Sequence, residues 1–220
     1  TFCISAPRRA YGDGLGGWSL FAPPYALHER TSPLPSFGML GRLVKRVRAL
    51  RGRGVSTLPL LAVAHERGDV SPYSPFSRLF WNELFVDLEG VPHVVPLVDS
   101  ESREIDLPAW SRAHWRALEQ VRGQTSSEAH ASLEPHVVPD LDRYAAQRAS
   151  GGPIWLSPEL VRFAQLRARA QMATLGAEGG LQLDLPIGVA ADSFDVARWP
   201  ALFLEGLSVS PVPHPVAYTR

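Results

Sequence analysis

Three apolar runs of strand length constrain this chain most: residues 18–27 (WSLFAPPYAL), 55–63 (VSTLPLLAV) and 181–189 (LQLDLPIGV). A strand with one face in water alternates apolar and polar side chains, whereas a strand buried on both faces does not. The runs therefore predict buried strands of a parallel sheet, covered by helices. Pro23 and Pro24 sit inside the first run. Proline cannot donate to a ladder, so that strand is expected to end near Ala22 and pass into a loop.

The segments between the runs carry helical spacing. Phe37, Leu40, Leu43, Val44, Val47 and Leu50 recur at i, i+3, i+4 and predict a helix over 36–50. Ser36 is placed to cap its start, and Gly52 to end it in the left-handed conformation. A second helix is expected over 108–121, with Trp110, His114, Leu118 and Val121 on one face, and a third over 140–148. Residues 123–139 are polar and read as loop and short helix. Ser157-Pro158-Glu159 places a capping hydroxyl, a proline at the first helical position and an acid near the positive end. The helix it starts is expected to bury Val161, Ala164, Ala168, Met172 and Leu175, and to stop at Gly176 or Gly179-Gly180.

Strand, helix and strand in this order predict an α/β fold: a partial (β/α)8 TIM barrel of about three strands, with a helical insertion after strand two. Sites in such barrels lie at the C-terminal ends of the strands. Those ends carry residues 23–27, 71–82 and 184–195. No internal repeat or low-complexity tract is present.

Composition narrows the function classes. Lys and Arg number 22, as do Asp and Glu, so net charge gives no argument for nucleic acid or an anionic membrane. Arg42, Lys45, Arg46, Arg48, Arg51 and Arg53 form the polar face of the first helix, without an interleaved aromatic platform. Cys3 is the single cysteine, which excludes an intrachain disulfide and favours a reducing, cytoplasmic location. No apolar run is long enough to suggest a membrane span, and no basic region followed by an apolar stretch is visible near Thr1 as a signal peptide would show. His114, His130 and His136 lack zinc spacing and cysteine partners, so no metal is expected. The glycines of 12–17 lack the lysine-serine pair of a phosphate loop, and a flexible connection is the better reading. The chain begins at Thr1 without methionine and ends on an apolar, proline-rich stretch. Both ends read as interior to a longer protein.

Two segments carry the chemistry. Residues 71–88 read SPYSPFSRLFWNELFVDL, a polar, proline-stiffened loop followed by a dense aromatic run. Rigid surface loops over a core are frequent carriers of function. Asp184 lies inside the third apolar run between Leu183 and Leu185. A carboxylate there is costly unless it is paired or lies at an open strand end. It is therefore either a ligand for polar substrate groups or a buried structural acid. Asp192 and Asp195 read as turn and capping residues.

Both segments resemble signatures of the 4-α-glucanotransferases, the amylomaltase or disproportionating-enzyme family. Ser71, Pro72, Tyr73, Ser77, Arg78 and Asn82 follow its SPY-x-x-x-SR-x-x-N pattern. Asp184, Pro186, Val189, Asp192, Ser193, Asp195 and Val196 follow its third-strand pattern, with Ala197 where the family has tryptophan. The segment 22–28, Leu58-Pro59-Leu60, and Gln165 with Gln171 resemble further family stretches. Residues 1–16 resemble the end of an upstream β-domain or linker, and 17–220 the N-terminal part of the barrel, truncated before strand four. The resemblance implies transfer of α-1,4-glucan segments between maltooligosaccharides by a retaining two-carboxylate mechanism without cofactor. It places Ser71, Tyr73 and Asp184 against substrate, with Tyr73 stacking on a glucose ring. The family's nucleophile and acid/base have no counterpart here, so no catalytic residue is assigned and this fragment is expected to be inactive. A non-catalytic glucan-binding or interaction module is the alternative.

Overall fold

The computed structural model describes residues 17–27, 35–67, 71–88, 106–124 and 138–204. Expectations for residues 1–16, for His130 and His136 and for the 210–216 stretch lie outside them.

The parallel sheet predicted from the apolar runs is present. Strand β1 (Ser19–Phe21) pairs with β2 (Gly54–Ser56), and β2 pairs with β5 (Leu181–Gln182), all parallel. The register aligns Leu20, Val55 and Leu181 in one row and Phe21, Ser56 and Gln182 in the next. Successive side chains point to opposite faces. Val55 is 1% exposed, in the core beneath helix α1 (Phe37–Ala49), which packs on α4 (Pro158–Glu178). Phe21 is 61% exposed on the open face. An added Cβ at Gly54 would overlap the Gly180 carbonyl, which accepts from Val55 N at 2.8 Å. Glycine is what lets β2 and β5 approach at this point.

The strands are shorter than the apolar runs. The 55–63 run breaks at Leu58-Pro59, and its second half forms β3 (Leu61–Ala62) of a separate sheet. β3 pairs antiparallel with β4 (Ser77–Trp81), a strand within the segment read from sequence as a loop. β4 is hard to read because its burial does not alternate: Arg78 and Leu79 are both exposed. The 181–189 run leaves the sheet after Gln182.

The helices follow their sequence signals more closely. Ser36 Oγ accepts from Met39 N, and Ser157 Oγ from Leu160 N. The end of α1 differs from expectation. Arg51, not Gly52, takes positive φ (63°), while Gly52 N bonds the Val47 carbonyl. Helices α2 (Leu107–Gln124) and α3 (Val138–Ser150) are longer than predicted, and α5 (Phe194–Arg198) is a short addition. They share one apolar core with α1, α4 and the β3–β4 hairpin. At its centre Phe80 stacks on Tyr144 at 4.0 Å, and Phe194 meets both rings edge-on at 5.6 Å.

Two glutamines fasten α4 to the end of β4 and the chain after it. Gln165 accepts from Trp81 N (3.1 Å) and donates to Trp81 O (2.7 Å). Gln171 accepts from Asp87 N (2.8 Å) and donates to Asp87 O (3.0 Å). Each side-chain amide acts as a peptide group in a ladder. No described helix is long and apolar enough to cross a membrane.

Candidate functional site

The SPY turn and the segment after β5 meet at the C-terminal side of the parallel strands. In the turn, Ser71 Oγ accepts from Tyr73 N (3.2 Å), and the Ser71 carbonyl from Ser74 N (3.0 Å). These bonds fix a tight turn and leave the Tyr73 ring 49% exposed. Tyr73 OH donates to Asp184 Oδ2 at 3.0 Å, across 111 positions of sequence. That bond, to an anion, raises the Tyr73 phenol above its ordinary value. Asp184 itself is exposed, beyond the end of β5. The burial penalty expected for an acid in an apolar strand therefore does not arise. Ser71 is exposed beside Tyr73. Leu185 and Ile187, in the same segment, are 70% and 80% exposed.

Beneath this surface the two segments are bolted together. Asp195, 2% exposed, accepts from Ser77 Oγ (2.7 Å) and Arg78 N (3.0 Å), with Arg78 Nε at 3.5 Å. It lies in the first turn of α5, whose cap is Ser193, so it is not the capping residue expected; its carboxylate is a buried clamp, which the sequence reading missed. Arg78 Nη1 also donates to the Ile187 carbonyl (3.2 Å). Ala190 N bonds Pro75 O, and Phe194 N bonds Phe76 O. Asp192 lies in the turn before α5, as expected of an aspartate there.

Behind the SPY turn is a buried polar network that the sequence reading did not find. Glu66 and Arg148 form a two-pronged ion pair, with Arg148 Nη2 at 2.9 Å from Glu66 Oε2 and side-chain exposures of 2% for Glu66 and 1% for Arg148. Burial opposes the Arg148 charge, but Glu66 and Glu83 outweigh it and hold the guanidinium protonated. Glu83 Oε1 accepts from Tyr144 OH and Gln165 Nε2, both at 2.6 Å. Burial raises the Glu83 carboxyl, against the pull of Arg148 and these two donors. His114 Nε2 donates to the Glu83 carbonyl at 3.0 Å. Asn82 Oδ1 accepts from Leu84 N, so its Nδ2 donates to His65 Nε2 (3.0 Å). His65 is therefore neutral, and burial lowers it to about 4. Among the described residues, no three His, Cys, Asp or Glu side chains group to hold a metal.

A parallel sheet with helices packed on it defines a mixed α/β fold, with the Tyr73–Asp184 pair beyond its strand ends. Residues 22–151, more than half the chain, match the 4-alpha-glucanotransferase family (glycoside hydrolase family 77), and the chain belongs to it. Its fold is similar to amylomaltase from Corynebacterium glutamicum, with TM-score 0.57 and 17% identity over 84% of this chain and 32% of that one. Amylomaltase from Streptococcus agalactiae, solved in complex with acarbose, gives TM-score 0.52 and 17% identity over 86% of this chain and 47% of that one. The chain thus spans half or less of either enzyme's length. No curated protein matches it.

Proposed function

We propose that this chain is part of a 4-α-glucanotransferase that moves α-1,4-glucan segments between maltooligosaccharides, and that Ser71, Tyr73 and Asp184 bind the sugar. In this reading residues 17–220 form the first three strands of a (β/α)8 barrel with a helical insertion, and 1–16 close an upstream domain or linker. The Tyr73–Asp184 hydrogen bond carries the proposal. It joins the two family motifs at one exposed point, and supplies a ring face beside a charged acceptor. Sugar hydroxyls pair with carboxylates, and sugar rings stack on aromatic faces. The barrel reading is supported by a three-stranded parallel sheet whose outer strands β1 and β5 are each paired on one side only among the described residues.

Asp184→Ala is expected to weaken maltoheptaose binding by about 1.5–3 kcal/mol, the range for a charge-assisted hydrogen bond. Tyr73→Ala should weaken it as well, and neither should shift the unfolding midpoint much, since both side chains are exposed. Titration calorimetry beside thermal melts decides this. Collapse of Asp184→Ala with binding intact would make Asp184 a structural acid.

Catalysis is a separate matter. Retaining transfer needs two carboxyls about 5–5.5 Å apart, one attacking and one protonating. The carboxylates that lie close to other groups here are committed: Glu66 to Arg148, Glu83 to Tyr144 and Gln165, and Asp195 to Ser77 and Arg78. The 220 residues alone are expected to leave maltotriose unchanged. Glucose and maltopentaose appearing over the purified chain would overturn that.

A further inference from the structure

The turn that carries Ser71 and Tyr73 is held from two sides. On its C-terminal side, Phe76 N bonds the Ala62 carbonyl (2.7 Å), and β4 is clamped by Asp195. On its N-terminal side stands the 3-10 turn His65–Arg67, whose last residue precedes Ser71 by four positions. This short turn is tied to several other elements. His65 accepts from Asn82 at the end of β4, and the edge of the Tyr25 ring faces it with centroids 6.3 Å apart. Glu66 receives the guanidinium of Arg148 from α3, and Ser111 Oγ of α2 lies 3.5 Å from Glu66 Oε2. One carboxylate thus gathers α2 and α3 onto this 3-10 turn.

We infer that Glu66 and His65 are positioning residues for the Ser71–Tyr73 turn, through which helices α2 and α3 fix a sugar surface they do not themselves form. The inference rests on the glucan reading only for the ligand; the mechanical link stands on the geometry alone. A buried ion pair whose sole role was stability would have no special effect on residues 71–76. The structure puts that effect there because Arg148, the cationic member of the pair, also lies over the Phe76 ring, 6.0 Å from its centroid.

The test is hydrogen exchange on the whole chain, read peptide by peptide, with maltoheptaose titration alongside. The double variant Glu66→Met/Arg148→Met removes both charges and keeps similar volume, so the fold survives. Exchange within residues 71–76 should then rise about tenfold or more, a local opening, while β2 and β5 keep their protection. Maltoheptaose affinity should fall with it. His65→Leu removes the second tie without touching a charge and should loosen the same residues. His65→Gln keeps an acceptor for Asn82 and should restore wild-type exchange. Exchange at 71–76 unchanged in folded double variant and in His65→Leu overturns the inference. So does loosening spread evenly over the chain. Failure of the wild-type chain to bind maltoheptaose sinks the glucan reading, while the exchange comparison still decides the positioning role.

Discussion

Arg148→Met alone should destabilise the chain by about 3–5 kcal/mol, because it leaves the Glu66 carboxylate buried without its cation. Glu66 is 2% exposed at its side chain and has no route to water at that cost. Removing Glu66 as well takes away the stranded charge, so the double methionine variant should recover most of the loss. Urea unfolding of the three proteins measures this. The idea fails if the single and double variants share one midpoint. A loss of that size is a large part of the 5–15 kcal/mol that holds most domains folded. Arg148→Met is therefore expected to express poorly where the double variant does not.

Acid should weaken the fold through His65. Its folded-state value is lowered from 6.5 to about 4, so the unfolded chain takes up this proton first as pH falls. The neutral histidine has no penalty above 6.5. Between 6.5 and 4 the unfolded state gains steadily, by about 3 kcal/mol in all at 1.36 kcal/mol per pH unit. Below 4 the folded histidine also protonates and the loss levels off. Glu83 works in the opposite sense: burial raises its carboxyl, so the folded chain takes up this proton first, and stability rises as pH falls through the folded value and levels off below the ordinary 4.5. Comparison with His65→Gln isolates the histidine. Wild type should lose about 3 kcal/mol more than the variant between pH 7 and 4, and parallel profiles would falsify the assignment. The groups that face His65 are Glu66, Arg148, Asn82 and Tyr25. Of these Glu66 favours the charged ring and Arg148 opposes it.

Much of the framework was legible because it rests on local rules. The spacing of Phe37, Leu40, Val44 and Val47, and the serine caps at Ser36 and Ser157, report helices regardless of what packs on them. The pairing of Val55 with Leu181 followed from buried runs with a helix between them. Strand length was not legible. An apolar run records burial, and Leu58-Pro59 or Leu185-Pro186 stay apolar after leaving a ladder. β4 escaped because Arg78 faces solvent next to Leu79, breaking the alternation that marks a half-buried strand.

The motifs that hold Tyr73 and Asp184 were legible as candidates, although only the fold brings the two side chains together. The buried network was not, since Glu66, Glu83 and Arg148 are far apart in the chain and each looks like a surface charge. One signal was available. Leu141, Tyr144, Ala145 and Arg148 stand at i, i+3, i+4 and i+7, which puts an arginine on the buried stripe of α3. A cation on such a stripe demands a carboxylate facing it.

Gln165 and Gln171 grip Trp81 and Asp87, so six residues of helix are matched to six residues of connecting chain. On the helix that interval is about 9 Å of rise, with a turn of about 240° left after one full revolution. The connection therefore crosses α4 obliquely, and the helix acts as a gauge for its length. One residue inserted between the glutamines would swing the second grip by about 100° and carry it 1.5 Å onward. A residue added to the connection would not undo that rotation, so both grips depend on the helix keeping its spacing. Length changes in this part of the protein are thus permitted outside both intervals, however freely individual side chains between them are exchanged.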